Sequence, residues 1–220
     1  MININRIESA DLWYVVGYIA TDGYLSIDGR HINITSKDRD HLYKIRSALK
    51  LDNKIGRKSR VAHDEKRFSQ LQFGDVKFYR FLKGLGLVSR KSLTLGPLNI
   101  DDKFFKDFFR GVIDGDGNIS TWIHRTNHNR QWCLRIYSAS KVFIEWLNNR
   151  VNQEFGIKGR LYSKKDKDRD NFIYLLKFGK LSALKILKRI YYDKSLFLER
   201  KFLQAQLCLQ EGQKNGKLYT

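Results

Sequence analysis

Proline is nearly missing from this chain, with a single residue, Pro97, in 220. That scarcity excludes polyproline segments and Pro-rich spacers, and leaves the one proline as a boundary marker. Cysteine is almost as rare. Cys133 and Cys208 have no metal-site or disulfide spacing, which excludes a disulfide framework or a zinc ribbon. Free thiols fit a reducing intracellular compartment, the cytoplasm or nucleoid or an organelle matrix, and not secretion. No apolar run approaches the roughly 18 to 20 residues of a membrane span, and the first residues lack a signal-peptide pattern. Negative charge is also short: 23 Asp+Glu stand against 42 Lys+Arg, a formal net charge of +19. The excess is spread along the chain, so it belongs to a folded surface, and a distributed positive surface suits a polyanion such as nucleic acid.

What is present is a globular composition, 42% hydrophobic and 13% aromatic, organised as a repeat. Val15-Val16-Gly17-Tyr18-Ile19-Ala20-Thr21-Asp22-Gly23 has a counterpart 94 residues later in Phe109-Arg110-Gly111-Val112-Ile113-Asp114-Gly115-Asp116-Gly117. Each closes an apolar helical run. After the first come a hairpin around Asp28-Gly29, a helix from Asp38 to Leu49, two strands over Lys54–Val61 and Phe68–Phe73, and a helix from Asp75 to Leu85. The order recurs in the second half: a helix over Asp102–Gly115, strands over Asn118–His124 and Gln131–Tyr137, and a helix over Lys141–Phe155. Strands over Lys158–Lys164 and Asn171–Phe178 and helices over Leu181–Ile190 and Leu196–Leu209 complete it. Leu71 to Asp75 pairs with Leu176 to Lys180, and Ser89-Arg90-Lys91 with Glu199-Arg200-Lys201. A period near one hundred residues is a domain duplication. The expected boundaries are 1–92 for the first half, 93–100 for a linker holding Pro97, 101–211 for the second half and 212–220 for a polar tail.

The spacing suggests chemistry. Gly17 and Thr21, and likewise Gly111 and Gly115, are four apart, so small residues line one helix face and allow a second helix to approach closely. If the two motif helices cross along these faces, Asp22 and Asp116 meet at negatively polarised helix ends. Two such carboxylates need a cation, and hard oxygen ligands select Mg²⁺ or a similar ion such as Mn²⁺. Lys91 and Lys201 are repeat-related and could each send a cation toward that site, to stabilise phosphoryl charge or polarise a water.

The strands carry a second signal. One face of each sheet packs on helices; the other would show Ser26, Asn33, Thr35, Arg57, Ser59, Gln70 and Gln72 in the first copy. In the second it would show Ser120, Trp122, His124, Arg135, Tyr137, Arg160 and Lys177. Amides, hydroxyls and arginines on a twisted ribbon suit base-edge readout in a DNA major groove.

The two nonamers resemble the LAGLIDADG motif of homing endonucleases. The Phe-Gly and Arg-Lys elements are similar to that family too, so the likeness covers nearly the whole chain and matches its single-chain, two-motif members. The resemblance implies an α+β fold, a tandem duplication of an αββαββα unit. It implies two antiparallel four-stranded saddle-shaped sheets, with the motif helices packed at a pseudo-twofold interface. It implies a monomer that binds double-stranded DNA, divalent metal on Asp22 and Asp116, and a break in both strands across the minor groove with short 3′ overhangs at a long asymmetric target. Motif 1 has Ala20-Thr21 where an acidic-small pair is common, and the polar position after the first hairpin is read as Ser36 and Ser140. Two alternatives stay open on the same scaffold: a maturase that binds intron RNA, and a non-catalytic DNA-binding regulator, against which the two retained aspartates argue. With no flanking protein-splicing domain, an intron-encoded or free-standing origin is expected over an intein.

Overall fold

The computed structural model describes residues 9–57, 68–165 and 171–214. The first series is α1 (Ala10–Asp22), β1 (Gly23–Leu25), β2 (His31–Ser36), α2 (Arg39–Ala48), β3 (Ile55–Arg57), β4 (Ser69–Gly74) and α3 (Val76–Gly84). After a short 3-10 turn at Asp102–Phe104 the series repeats. It runs α4 (Phe105–Asp116), β5 (Gly117–Ile123), β6 (Arg130–Ser138), α5 (Lys141–Phe155), β7 (Arg160–Lys165), β8 (Phe172–Phe178) and α6 (Lys180–Ile190), and α7 (Glu199–Lys214) follows. Each copy forms a four-stranded antiparallel sheet, ordered β1-β2-β4-β3 and β5-β6-β8-β7. The expected duplication of an αββαββα unit is therefore what the chain builds.

Strand alternation decides which face each sheet buries. Ile32 and Ile34 are fully buried while His31, Asn33 and Thr35 are half-exposed. Across β2 and β4 the register pairs Ile34 with Leu71 and Ile32 with Phe73, so the apolar residues stack on one side. The β1–β2 turn follows from its residues: Gly29 takes a left-handed φ of 73°, which costs glycine nothing. Asp28 Oδ1 accepts from the amides of Arg30 and His31, each at 3.0 Å.

By contacts the chain forms two compact units. One comprises the residues through Lys91 together with Leu98–Gly115; the other comprises Ser92–Pro97 and the residues from Asp116 onward. The sequence expectation ended the first half at residue 92 and assigned the whole second motif helix to the second half. In the structure α4 up to Gly115 is grouped with the first unit, because it packs on α1.

That packing explains the glycines. A Cβ on Gly17 would overlap the main-chain oxygen of Phe108, and one on Gly111 would overlap the main-chain oxygen of Tyr14. Backbone touches backbone, and only glycine permits it. Around this contact lies a polar network that the apolar periodicity does not announce. Arg110 is wholly buried, donates to Asp107 Oδ1 at 2.8 Å, and sits 5.2 Å from the centre of the Tyr14 ring. The Tyr14 hydroxyl donates to Asp114 Oδ2 at 2.7 Å and lies 3.1 Å from His41 Nε2, tying α1 to both α4 and α2. Removing only that hydroxyl leaves buried acceptors short of a donor, at a cost of about 2 kcal/mol. Tyr14→Phe is therefore expected to lower the melting temperature by about 4 to 8 °C in a circular-dichroism melt.

Candidate active site and nucleic-acid interface

Asp22 is the last residue of α1 and Asp116 the last of α4, and both are exposed. Each is followed by a buried glycine that begins the first strand of its sheet. The turn at Gly23 is made by close approach, not by backbone sign. Its φ is −87°, but a Cβ there would sit 2.7 Å from the Ile19 Cα. The chain thus folds directly from helix end to strand, and the carboxylate is left projecting where the helix dipole is negative.

Lys91 is buried and its ammonium donates to the main-chain oxygen of Gly23, the residue after Asp22. One of the two repeat-related lysines is therefore placed beside a motif aspartate. Lys201 is also buried, in the first turn of α7. Tyr18, one turn before Asp22, donates to Ser36 Oγ at 3.4 Å. Burial first, and then the Asp22 charge, push the Tyr18 phenol above its ordinary value, so it remains a donor at any ordinary pH.

Ser36 and Ser140 are both buried, but they are not repeat partners. Ser36 ends β2 and its Oγ accepts from Asp38 N at 3.1 Å; Ser138 ends β6 and its Oγ accepts from Ser140 N at 3.0 Å. The equivalent of Ser36 is Ser138. Ser140 instead caps α5, accepting from Phe143 N at 3.3 Å, and donates to Leu95 O at 2.5 Å.

Among the described residues no three His, Cys, Asp or Glu side chains gather as a metal cluster. A single exposed carboxylate at a helix end fits an ion that keeps several waters and takes its other ligands from phosphate oxygens, which is how Mg²⁺ is usually bound. The donor chemistry suits a hard divalent ion shared with substrate and does not suit a closed structural site.

In the first sheet Asn33 pairs with Gln72 and Thr35 with Gln70, which puts these four on the open face. Gln70 Nε2 donates to Gln72 Oε1 at 3.2 Å, so the amides are linked along that face. Ser26 follows β1 in the same alternation and its amide donates to His31 O at 2.9 Å. Tyr24, 48% exposed and paired with Asn33, belongs to the same face although the sequence reading omitted it. Arg57 does not. It pairs with Ser69, in the alternation of Ile55 and Leu71, which are buried. The three-residue β3 is too short for its alternation to be read from sequence, and the expected open-face position of Arg57 is corrected to the opposite parity. Ser59 lies outside the described residues. His31 is occupied locally: its Nδ1 is 2.6 Å from Asp28 Oδ2, and His31 with the turn amides holds the Asp28 carboxyl well below the usual range.

In the second sheet Arg135, Lys177 and Arg160 form a continuous row across β6, β8 and β7. Asn118 extends this row onto β5. Arg135 donates to Ser120 Oγ at 3.2 Å, and Ser120 in turn to Asn118, which fixes the guanidinium. Ser120 and Trp122 lie in the same alternation, and Tyr137 lies one row closer to the helix end. Trp122 and Tyr137 are 43% and 41% exposed, unusual for aromatic rings with no open-face role. His124 falls just beyond β5 and closes its turn, with its amide donating to Asn129 O at 2.9 Å.

Residues 9–91 and 105–191 match the family described as LAGLIDADG-like domain. No curated protein matches the chain by sequence. Among solved structures, the meganuclease I-AabMI bound to uncleaved DNA is similar at a TM-score of 0.60 and 17% identity, over 93% of this chain and 91% of that one. I-DmoI in complex with DNA and Ca is similar at a TM-score of 0.56 and 19% identity, over 89% of this chain and 97% of that one. Full-length DUF199/WhiA from Thermatoga maritima is similar at a TM-score of 0.56 and 14% identity; 92% of this chain is covered, but only 60% of WhiA. These likenesses bear on fold.

Proposed function

This chain belongs to the LAGLIDADG family, and we propose that it is a site-specific DNA endonuclease of the homing type. One observation carries the reading most: an exposed aspartate closes each of two helices that are locked together backbone to backbone at Gly17 and Gly111. Each aspartate leads straight into a sheet whose open face is polar in one copy and cationic in the other. The similar protein I-DmoI forms complexes with DNA and Ca and with DNA and Mn, which favours DNA and a divalent ion here as well.

In this reading Asp22 and Asp116 hold divalent metal, Mg²⁺ or Mn²⁺. The ion supplies a water of lowered pKa and charge stabilisation at the phosphoryl oxygens. Hydrolysis there would add water at phosphorus and break the bond to the 3′ oxygen, giving a 5′ phosphate and a 3′ hydroxyl. Lys91, whose ammonium lies at Gly23 O next to Asp22, adds positive charge where the phosphoryl group gains negative charge. The excess of +19 on the chain attracts the duplex and the sheet faces set its register.

The test is a plasmid carrying the joined sequences that flank the gene, incubated with the protein. Linear product is expected with Mg²⁺ or Mn²⁺ and none with excess chelator, while gel-shift binding persists in both. Binding without linear product under any divalent ion would select the non-catalytic regulator. Binding to a structured transcript of the gene's own intron, without duplex binding, would select the maturase.

A further inference from the structure

We infer that the second sheet reads thymine methyl groups immediately beside its cutting position, through an apolar row made by Tyr137, Leu175 and Tyr162. The inference rests on the endonuclease reading above and adds base chemistry to it.

The row is set by register. Tyr137 on β6 pairs with Leu175 on β8, and Leu175 pairs with Tyr162 on β7, so the three side chains share one face. That face is the open one, because its alternate residues Ile136 and Leu176 are fully buried. Tyr137 and Tyr162 are 41% and 46% exposed, Leu175 is half-buried, and Ile173, two residues along β8, adds another 38% exposed side chain. A solvated sheet face has no use for such a row. It forfeits hydrophobic burial on every side chain, and unpartnered apolar patches of this kind mark binding surfaces.

Its position is equally specific. Gly117 pairs with Ile136, so Tyr137 stands level with the end of α4, and Tyr137, Ile173 and Asp116 line one cavity of about 380 Å³. The apolar row is therefore next to the proposed metal-binding carboxylate. The cationic row of Arg135, Lys177 and Arg160 lies two residues farther along the strands. Two strand residues span about 6.8 Å, close to two base steps of 3.4 Å.

In a major groove only thymine presents a methyl group, and apolar side chains contact it; arginine or lysine instead matches guanine O6 and N7. The order on the sheet thus translates into an order on the half-site: thymine next to the cut, guanine about two base pairs outward. Among the described residues the first sheet carries no such row. Its corresponding face pairs Tyr24 with Asn33 and Gln72, and Thr35 with Gln70, chemistry that suits adenine. The two halves of the target are expected to differ accordingly.

The test selects bound duplexes from a random-sequence pool with the full chain and no divalent ion. The best duplex is then remade with deoxyuridine replacing thymidine at single positions, which removes the methyl and keeps the base pair. Expected is a half-site with thymine nearest the centre and guanine outward. Each uridine at those thymines should weaken binding about fourfold, the worth of one buried carbon group. Tyr162→Ala, at an exposed position, and Leu175→Ala should each lose this uridine sensitivity and keep the base preferences of the other half-site. Uridine substitution without effect near the centre, or undiminished sensitivity in both variants, overturns the inference while the endonuclease reading stands. A pool from which no duplex is enriched overturns both.

Discussion

Asp116→Asn is expected to reduce double-strand cleavage more than about 100-fold, since even partners that merely support a metal ligand are worth 10- to 100-fold. Asp22→Asn should do the same. Neither change should alter stability by more than about 0.5 kcal/mol, about 1 to 2 °C in melting temperature, because both side chains are exposed and surface substitutions are usually that small. Duplex affinity should hold or rise, since each substitution removes a negative charge from a basic surface. Plasmid linearisation, gel shift and thermal melting on the same preparations separate these outcomes. A protein that keeps full cleavage as Asp116→Asn would show that the helix-end carboxylates do not hold the catalytic ion.

The second large effect concerns the helix pair. Gly17→Val would drive two methyl groups into the backbone oxygen of Phe108, where even the first carbon of a side chain has no room. Overpacking in cores costs typically 1 to 3 kcal/mol, and here the obstacle is main chain that cannot rotate away, so about 3 kcal/mol or more is expected. For a chain of this size that corresponds to a fall of about 6 to 12 °C in melting temperature. Cleavage should fall at temperatures where the protein is still folded, because the substitution pushes apart the helices that carry both aspartates. Gly84→Ala, which meets nothing within 4 Å, is the matched control and should leave cleavage unchanged. A Gly17→Val protein with native melting and native cleavage would mean that the backbone contact does not support the site.

The residues that announced themselves in sequence did so through repetition. Asp22 and Asp116 each recur at the end of an apolar helical run, and the strands of β2 and β6 alternate over enough residues to fix their faces. Periodicity reports burial only where a segment is long enough and where buried means apolar. Arg57 failed the first condition, since β3 has three residues and its register is set by β4. Arg110 and Asp114 failed the second. Both are fully buried, and partners such as Asp107 and Tyr14, reached within α4 or across the α1–α4 contact, help make that burial tolerable. The grouping of α4 with the first unit is likewise a packing result; in sequence it opens the second repeat.

The pairing of Ser36 with Ser138 illustrates the same limit. Sequence offsets drift between the copies because the second carries insertions, so an offset near one hundred does not identify partners residue by residue. The same hydrogen bond, which each serine Oγ accepts from the amide two residues on, does. Leu175 and Tyr162 were invisible for a related reason: their row exists only once β6, β8 and β7 are in register.

The most direct measurement is sequencing of the DNA ends released from the flanking-sequence plasmid by the wild-type chain in Mg²⁺. Paired ends at one position, each with a 3′ overhang, are expected, and they should vanish in either aspartate variant. Intact plasmid under conditions where the same protein binds that duplex would contradict the assignment of Asp22 and Asp116 as a cleaving pair.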